Sequence, residues 1–492
     1  MISTSPCQSW FHKKAPPGGT SVTRPIVLSL AAMLLAGGAA AQTVALTGAT
    51  IIDGTGRPAI ANGVVVVRGD RLVCVGTAQQ CPVPAGAARV DVTGRFLTPG
   101  LVDAHVHFSQ TGWVDGRPDG LSAPQLYPYP ETARALRANP ARWYRSYLCS
   151  GITAVFDVGG HPWTTALPTK AEADSLAPHV RSAGPLITHA GRSALNVDEE
   201  IYTFLPMGTS AEVQASVAKL KAMGSSAVKV WYLAPTAARR EELDARMLEV
   251  GAAARAAGLD LIVHSTGLRE AKVALRAGAV LLVHSVENEP VDQEFLDLLA
   301  RNRAIYAPTL VVGRNATRAS VSVALGTRFP VDDPGGCVDS ATVAKIANVE
   351  PLRPLMPERL RPADVAFRRL EAVGARGAVM AENVRRVHAA GGVIATATDA
   401  GNPLTLHGPS IFDEMEAMQG AGLAPADVVV MSTRNGARAM SREKDFGTLE
   451  AGKMADLLVL TENPLADVRA FRSRTHVMRG GRLYPQTALR HR

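Results

Sequence analysis

The first pair of residues along the chain with the spacing of metal ligands is His105 and His107, which lie two residues apart. They follow a Pro-Gly break at residues 99–100 and a short apolar run. Because side chains alternate along a strand, both imidazoles would leave it on one face, about 7 Å apart, and could bind one ion. The spacing suits a metal site, and the same pair is equally compatible with two histidines in a core or on a surface.

Four further residues with ligand chemistry lie in or at the ends of predicted strands. Lys229 lies within an apolar strand, His264 and His284 are each the middle residue of a Val-His-Ser run at a strand end, and Asp399 ends the last predicted strand. Singly, they could be structural histidines, a lysine whose ammonium reaches solvent, and an aspartate that caps a helix. Their joint occurrence at strand ends predicts one site for borderline divalent ions such as zinc.

Lys229 is the unusual member of this set, because an ammonium group would repel a bound cation. Carbamylation of the amine by CO2 removes the conflict, since the product is an anionic carboxylate that can bridge two metal ions. With a carbamate on Lys229 the site could hold two divalent cations, and zinc is the expected metal.

The elements that must position these residues alternate between apolar strands and alanine-rich helices, a pattern typical of parallel βα units. The predicted strands are 102–107, 154–158, 185–188, 227–231, 261–264, 280–284, 305–308 and 393–398, and the helices between them include 210–223, 239–257, 269–277 and 292–302. Eight strands predict a (β/α)8 TIM-type barrel, whose chemistry lies at the carboxyl ends of the strands. The alternative is an open doubly wound sheet, but no Gly-x-Gly-x-x-Gly turn follows the first strand.

Short apolar strands separated by turns occupy both ends of the predicted mature chain, and neither set is large enough for its own core. We expect residues 42–98 and 445–492 to form one small composite β-sandwich domain. Residues 99–444 would form the metal-binding barrel. The fold class is therefore α/β.

A long connection, about 312–392, separates the seventh and eighth predicted strands and contains several proline and glycine positions. Insertions of this size on the carboxyl face of a barrel usually cover or shape the active site. A surface excursion without a role in the site is the alternative.

The first 41 residues are typical of a signal peptide. Three basic residues precede an apolar run at 26–40, and the alanines at 39–41 offer a cleavage site before Gln42. A membrane anchor is the alternative, but the run is short of the ~20 residues that a spanning helix needs. No cysteine lies at the cleavage site, which argues against a lipid anchor. We expect an exported protein, periplasmic or secreted.

The net charge narrows the possible binding partners only slightly. The full chain carries a net charge of +8, and removal of Lys13, Lys14 and Arg24 with the leader leaves 8 − 3 = +5. Without a dense basic run, we expect a small-molecule substrate, no nucleic acid and no stable membrane insertion, while a homo-oligomer is left open.

The cysteines of the predicted mature chain give one candidate disulfide. Cys74 and Cys81 lie close together in a strand-and-turn segment, and an exported protein could oxidise them, although two free buried thiols are the alternative. Cys149 and Cys337 have no neighbouring cysteine in the sequence, and we expect them to be unpaired.

Two motifs resemble the amidohydrolase superfamily, in particular its imidazolonepropionase-like and Xaa-Pro dipeptidase-like branch. The first-strand motif is PGLVDAHVH at 99–107, and the motif of the carboxyl-terminal β-domain is GTLEAGKMADL at 447–457. The resemblance covers essentially the whole mature chain. It implies that one metal is held by His105, His107 and Asp399, that the other is held by His264 and His284, and that carbamylated Lys229 bridges them. The chain departs from many relatives at Ser285, where they have glycine.

The predicted function is hydrolysis of an amide-type C–N bond in a dipeptide, an N-acyl amino acid or a cyclic amide. Two nearby cations lower the pKa of a bridging water, so hydroxide can attack the carbonyl. Asp399 would accept the proton and deliver it to the leaving nitrogen. A lactone or ester hydrolase and a deaminase are alternatives on the same site, and a non-catalytic binding or assembly protein is a further one.

Candidate substrate contacts are Tyr232, His189 and His407, which fall in predicted loops on the same face as the ligands. Each could bind a substrate carboxylate or carbonyl, and for each an ordinary surface or packing role is equally compatible with the sequence. For His161 the ordinary role is favoured.

Overall fold

Eighteen strands lie in the computed structural model, which describes residues 42–191 and 193–491; the predicted signal peptide, 1–41, lies outside the described residues. In chain order the strands are β1 (Thr43–Ile51), β2 (Ile60–Arg68), β3 (Arg71–Thr77), β4 (Ala88–Asp91), β5 (Phe96–Pro99), β6 (Leu101–Val106), β7 (Ile152–Asp157), β8 (His179–Ser182), β9 (Leu186–Thr188), β10 (Phe204–Pro206), β11 (Ala227–Trp231), β12 (Asp260–His264), β13 (Leu281–Val283), β14 (Ile305–Ala307), β15 (Val393–Ile394), β16 (Leu457–Leu460), β17 (Arg474–Arg479) and β18 (Arg482–Pro485).

Thirteen α-helices lie in the same described ranges. They are α1 (Tyr129–Ala138), α2 (Ala141–Cys149), α3 (Leu167–Glu172), α4 (Ser210–Ala222), α5 (Arg240–Ala256), α6 (Leu268–Arg276), α7 (Gln293–Asn302), α8 (Val312–Leu325), α9 (Ser340–Ala347), α10 (Ala363–Ala389), α11 (Ser410–Gly420), α12 (Pro425–Met431) and α13 (Arg434–Ala439). The helices predicted at 210–223, 239–257, 269–277 and 292–302 correspond to α4 to α7. Local signals explain their starts: Thr209 caps α4 in a capping box with Glu212, and the Asp292 carboxylate caps α7.

Strands from both ends of the chain pair in one eight-stranded sheet. Its order is β18-β17-β16-β5-β1-β2-β3, with β4 paired to β1, and the two ends meet where β5 runs antiparallel to β16. Alternate residues of β1 and β2 pack into separate apolar clusters, Leu46 with Val65 in one and Ala45 with Val64 in the other. Both faces are covered, which explains the continuous apolar run in β2.

Two parallel sheets lie between these terminal strands and confirm the α/β class. One has the order β6-β7-β8 and the other β10-β9-β11-β12-β13-β14-β15. Ala227–Trp231 is the strand that the sequence predicts, residue for residue, and it pairs in parallel with β12. Parallel pairing brings the carboxyl ends of these strands to one edge, where the predicted ligands lie.

The third predicted strand requires a correction. The sequence favours 185–188, but the neighbour of β7 is β8, His179–Ser182, whereas β9 pairs with β11. The β8 sequence contains two charged or titratable side chains, so apolar periodicity does not reveal it. In the structure, His179 is buried between Glu172 and Asp456, at 2.7 and 2.8 Å. Only the folded chain supplies these partners.

The eighth predicted strand is regular over only two residues, Val393–Ile394. The chain beyond it still bonds to β6: the Ala104 N–H donates to the Thr396 carbonyl at 3.1 Å, and the Asp399 N–H donates to the His105 carbonyl at 2.8 Å. These bonds bring Asp399 beside the two histidines of the first strand.

The long connection folds mainly into α8, α9 and α10, and α8 packs against α10. It is tied to the rest of the chain by a disulfide between Cys149, at the end of α2, and Cys337. The expectation that these two cysteines are unpaired is therefore wrong. They are 188 residues apart in sequence but only 5.3 Å apart between Cα atoms, because the connection folds back onto α2.

The second disulfide joins Cys74 and Cys81, whose Cα atoms are 5.6 Å apart, so the disulfide alternative holds for this pair. Among the residues that the structure describes, no helix is both long enough and apolar enough to cross a membrane.

Candidate metal centre

Six side chains predicted as metal ligands line one cavity of about 120 Å³. Four of them lie at the carboxyl ends of parallel strands or directly after these ends, Lys229 lies in the middle of β11, and Asp399 lies five residues beyond β15. The six are His105, His107, Lys229, His264, His284 and Asp399. The structure thus brings together residues that span almost 300 positions of the sequence.

Asp399 lies at the centre of the first three ligands. Its Oδ1 is 2.9 Å from His107 Nε2 and 3.3 Å from His105 Nε2, and the two Nε2 atoms are 3.2 Å apart. Asp399 Oδ1 is buried and accepts no hydrogen bond from the described residues. A carboxylate oxygen and two imidazole nitrogens that converge in this way fit a shared cation, and zinc suits this donor set.

His264 and His284 face each other on the other side of Asp399. Their ring centroids are 4.3 Å apart, and His284 Nε2 lies 3.8 Å from Asp399 Oδ2. Ligand atoms of His105, His284 and Asp399 all lie within 4.8 Å of one another. The two carboxylate oxygens of Asp399 therefore point toward different histidine groups.

Two of these residues have unusual backbone conformations. His284 has φ of 76° and Asp399 has φ of 63°, in the left-handed region that costs free energy for residues other than glycine. Such conformations concentrate at functional sites, where the surrounding structure enforces them. His284 directly follows β13, whereas Asp399 lies five residues beyond β15, and both side chains line the cavity.

Hydrogen bonds to the second ring nitrogen orient two of the histidines. The ring nitrogen His107 Nδ1 bonds to the Gly159 carbonyl, and His284 Nδ1 lies 2.7 Å from Thr309 Oγ1. In each ring Nε2 is left for the cavity, as is usual for histidines that bind metals. Burial lowers the pKa of His105, His264 and His284, which favours the neutral rings that a cation requires.

Asp103 fixes the first strand to the segment before Asp399. Its carboxylate accepts hydrogen bonds from the Thr398 N–H at 3.0 Å, the Thr398 hydroxyl at 2.6 Å and the His105 N–H at 3.2 Å. Burial raises the pKa of Asp103 to about 7. The sequence shows this residue in the first-strand motif, but only the structure reveals its positioning role.

Lys229 is fully buried and has no carboxylate partner within 4.0 Å in the described part of the chain. Burial lowers the pKa of Lys229 to about 7, and the carboxylates of Asp399 and Asp157 partly oppose this shift. A neutral amine is the form that reacts with CO2. The environment of Lys229 therefore suits the predicted carbamate.

The three predicted substrate contacts do not line the ligand cavity. His407 is buried against Trp143, its Nδ1 bonds to the Tyr147 hydroxyl at 2.6 Å, and its Nε2 bonds to the Gln110 carbonyl at 3.0 Å. Because both ring nitrogens are used, His407 has a packing role, and its predicted substrate contact must be corrected.

Tyr232 and His189 also lie away from the cavity. The buried Tyr232 hydroxyl donates to Asp244, and the His189 ring packs 5.7 Å from the Tyr232 ring. Tyr232 misses the cavity because side chains alternate along the strand, and its neighbour Trp231 is the residue that reaches the cavity. His161 is buried beside Tyr129 and Thr203, as expected for a packing residue.

Arg117 is a cavity residue that the sequence does not predict. Its guanidinium bonds to both oxygens of Asp119 at 2.8 Å and to the side-chain oxygen of Asn402. Arg117 and Asn402 both line the ligand cavity. Arg117 lies in an irregular loop after β6, where neither spacing nor periodicity distinguishes it from a surface arginine.

A larger cavity, of about 690 Å³, adjoins the ligand cavity, and His264, His284 and Asp399 belong to the walls of both. Its remaining wall comes mainly from α8, α10 and the residues just before α8. The long connection therefore borders the candidate metal centre directly.

The sequence profile of the amidohydrolase family matches residues 96–484, which include every predicted ligand. The chain belongs to the amidohydrolase family. Members of this family are metal-dependent, and this amidohydrolase is a hydrolase that acts on C–N bonds.

Relatives of this amidohydrolase are named for different activities. Ochratoxinase of Aspergillus niger is 24% identical over 96% of this chain and 93% of its own length. A 5-methylthioadenosine/S-adenosylhomocysteine deaminase of Symbiobacterium thermophilum is 36% identical, but over only 15% of this chain and 18% of its own length.

Among solved structures, a Xaa-Pro dipeptidase with bound methionine in the active site superposes with a TM-score of 0.67 and 21% identity. It covers 90% of this chain and 100% of its own. This likeness shows the shared fold.

Proposed function

We propose that this amidohydrolase is an exported enzyme that hydrolyses an amide-type C–N bond, in a dipeptide, an N-acyl amino acid or a cyclic amide, with two divalent cations. The observation that carries the proposal is the convergence of the six predicted ligands on one cavity of about 120 Å³, with a buried Asp399 oxygen that accepts no hydrogen bond from the described residues. Buried charges are normally paired or metal-bound, so this arrangement favours a bound cation.

One cation would be held by His105, His107 and Asp399, and the other by His264 and His284. Lys229, as a carbamate, would supply an anionic oxygen to both. Bound cations of this kind polarise a substrate carbonyl and lower the pKa of the attacking water.

The chain supplies the proton transfer and the alignment. Asp399 carries two oxygens that face different histidine groups, so one can bind a cation while the other accepts a proton from water. The same oxygen can then donate this proton to the leaving nitrogen. Asp103 holds Asp399 beside the first strand through Thr398, which keeps the carboxylate in the cavity.

The architecture that we propose for this chemistry is a (β/α)8 barrel at 99–444 with a composite β-sandwich at 42–98 plus 445–492. Backbone bonds support the barrel at the two junctions between the parallel sheets. The Ser226 N–H donates to the Ser182 carbonyl, and the Ala104 N–H donates to the Thr396 carbonyl, each at 3.1 Å.

Export belongs to the same proposal and is supported by the leader-like sequence at 1–41. Two disulfides in the described residues add support, because disulfides persist mainly in oxidising compartments. Amino-terminal sequencing of the protein from an exported fraction is expected to begin at Gln42. A protein that is retained in the cytosol with an intact leader would contradict export.

Metal analysis combined with a hydrolysis panel tests the catalytic proposal. The purified mature protein should contain about two divalent cations per chain, following two-metal logic, and should hydrolyse members of an amide panel in preference to matched esters and lactones. Lys229→Ala should lose both the second cation and activity, whereas Lys221→Ala, an exposed lysine on α4, should retain both.

The panel also separates the alternatives. Ammonia release from a ring amine would indicate a deaminase, and faster ester than amide hydrolysis would indicate an esterase. A mature protein that binds no divalent cation would contradict the metal-dependent proposal itself.

A further inference from the structure

The cavity of about 690 Å³ beside the ligand cavity has the size of a small-molecule subsite. Because His264, His284 and Asp399 belong to both cavities, a molecule held in the large one would reach the candidate metal centre. The ligand cavity itself, at about 120 Å³, has room for only the reacting atoms. The bulk of any substrate must lie elsewhere.

The wall of the large cavity is mostly apolar on the side of α10. Leu370, Val373 and Met380 come from this helix, and Phe329 faces it from the segment after α8. Apolar walls of this kind favour the burial of an aromatic or branched aliphatic group.

Two glycines of α10 enlarge this space. At Gly374 and at Gly377, a Cβ atom would meet no atom within 4 Å, and neither glycine has a positive φ. Glycine inside a helix costs roughly 0.5–1 kcal/mol relative to alanine, so neither turn geometry nor close packing accounts for these two positions. Three residues apart, they lie on one face of the helix and leave open space in the cavity.

Two arginines on the opposite helix supply charge. Arg314 and Arg318 lie one turn apart on α8 and both line the cavity. Neither has a carboxylate within 4.0 Å in the described ranges, whereas Arg376 across the cavity pairs with Glu287 at 3.6 Å. The Arg318 guanidinium also lies 4.9 Å from the centre of the Phe329 ring. Two neighbouring cations that form no direct ion pair are free to bind an anionic group.

We infer that the cavity between α8 and α10 binds the larger part of the substrate, a bulky apolar group that carries a carboxylate, and that Arg314 and Arg318 bind this carboxylate. The inference rests on the proposed amide hydrolysis, because it places the scissile bond at the shared wall near His284 and Asp399. It assigns substrate specificity to the long connection: the arginines would select a substrate with a negative charge, and the two glycines would leave room for its bulky group.

Binding of two probes without a scissile bond tests the subsite separately from catalysis. By calorimetry, 3-phenylpropionate should bind the metal-loaded protein at least tenfold more tightly than 3-phenylpropanol, its neutral counterpart. The double variant Arg314→Ala/Arg318→Ala should lose this tenfold preference while it retains its metal content. Arg368→Ala removes an exposed arginine of the same insertion, paired with Asp364, and should leave binding unchanged.

A second variant tests the apolar part. Gly374→Leu should fill the cavity and abolish binding of 3-phenylpropionate, whereas hydrolysis of N-acetylglycine, if it is a substrate of the wild type, should remain. Gly420→Leu provides the matched control, because Gly420 is an exposed helical glycine on α11 where a Cβ atom would also meet no atom within 4 Å, and it lies outside this cavity.

Equal binding of 3-phenylpropionate by the wild type and the double arginine variant would overturn the inference, as would unchanged binding by Gly374→Leu. Failure of all amides to be hydrolysed, with arginine-dependent binding intact, would instead contradict the proposed reaction and leave the anionic subsite standing.

Discussion

The two adjoining cavities of this protein are built on different principles. The ligand cavity is formed mainly by strand ends, most of its predicted ligands are buried, and some are oriented by hydrogen bonds such as that between Thr309 and His284. The large cavity is formed by helices of the long connection, with two arginines that lack carboxylate partners among the described residues and two helical glycines. The contrast teaches that the candidate ligands are positioned by the parallel strands and the residues after them, whereas the cavity beside them is shaped mainly by helices of the long connection.

The largest expected effect concerns the ligand cavity. Asp399→Asn removes the proton acceptor and should lower kcat by about 10² to 10⁴, the range that proton transfer by a positioned side chain contributes. Circular dichroism should show an unchanged fold, because asparagine has nearly the same shape. The control is Asp364→Asn, an exposed carboxylate on α10. Activity within tenfold of the wild type would refute the proposed role of Asp399.

Removal of the disulfide between Cys149 and Cys337 measures how much this bond stabilises the packing of the long connection. Cys149→Ser/Cys337→Ser should lower the free energy of unfolding by about 2–5 kcal/mol, because the unfolded chain loses a long covalent loop. Thermal unfolding measures this loss.

The matched control for this experiment is Cys74→Ser/Cys81→Ser, which removes the disulfide of the terminal sheet. This disulfide joins cysteines only seven residues apart in sequence, so its removal should lower the free energy of unfolding by less. A larger loss from the short loop would contradict this account.

Glu414, on α11, holds the segment just before α8 and should make stability depend on pH. It is buried, and its carboxylate accepts the N–H groups of Leu310 at 2.8 Å and Val311 at 3.0 Å, just before α8. Burial raises the pKa of Glu414 to about 8; these two N–H bonds and the charge of Arg314 oppose the rise, and Asp103 adds to it.

Because this carboxyl group has a higher pKa in the folded than in the unfolded protein, its contribution to stability is complete below the unfolded value and is lost as pH rises toward about 8. Glu414→Gln keeps an acceptor oxygen without the charge. Its melting temperature should fall less than that of the wild type between pH 5 and pH 8, measured by calorimetry. Parallel curves for the two proteins would show that Glu414 does not titrate in this range.

The smallest expected effect is a gain. Gly377→Ala should stabilise the protein by about 0.5–1 kcal/mol, because alanine is the better helix former and no atom lies within 4 Å of the new methyl group. Thermal unfolding provides the measurement, and Gly374→Ala should behave alike. A loss of stability would show that the space at these glycines is already occupied in the folded protein.

The sequence predicts the terminal strands, the parallel βα units and all six candidate ligands, because these rest on local patterns. It misses β8, since His179 and Arg181 look polar until Glu172, Asp456 and Asp260 surround them. It also assigns His407 to substrate binding, because a histidine in a loop carries no sign of the Trp143 and Tyr147 side chains that enclose it.

Local chemistry in the sequence was sufficient to indicate the kind of reaction, because alternation along strands aims the His-x-His pair and the strand lysine at one edge, where the two Val-His-Ser runs and Asp399 also fall. The tertiary structure alone decided what surrounds them. The Cys149–Cys337 disulfide, the arginine pair on α8 and the open glycine face of α10 depend on how the insertion packs against the sheet. Contacts between residues so distant in sequence leave no periodic signal, because packing, and not spacing along the chain, brings them together.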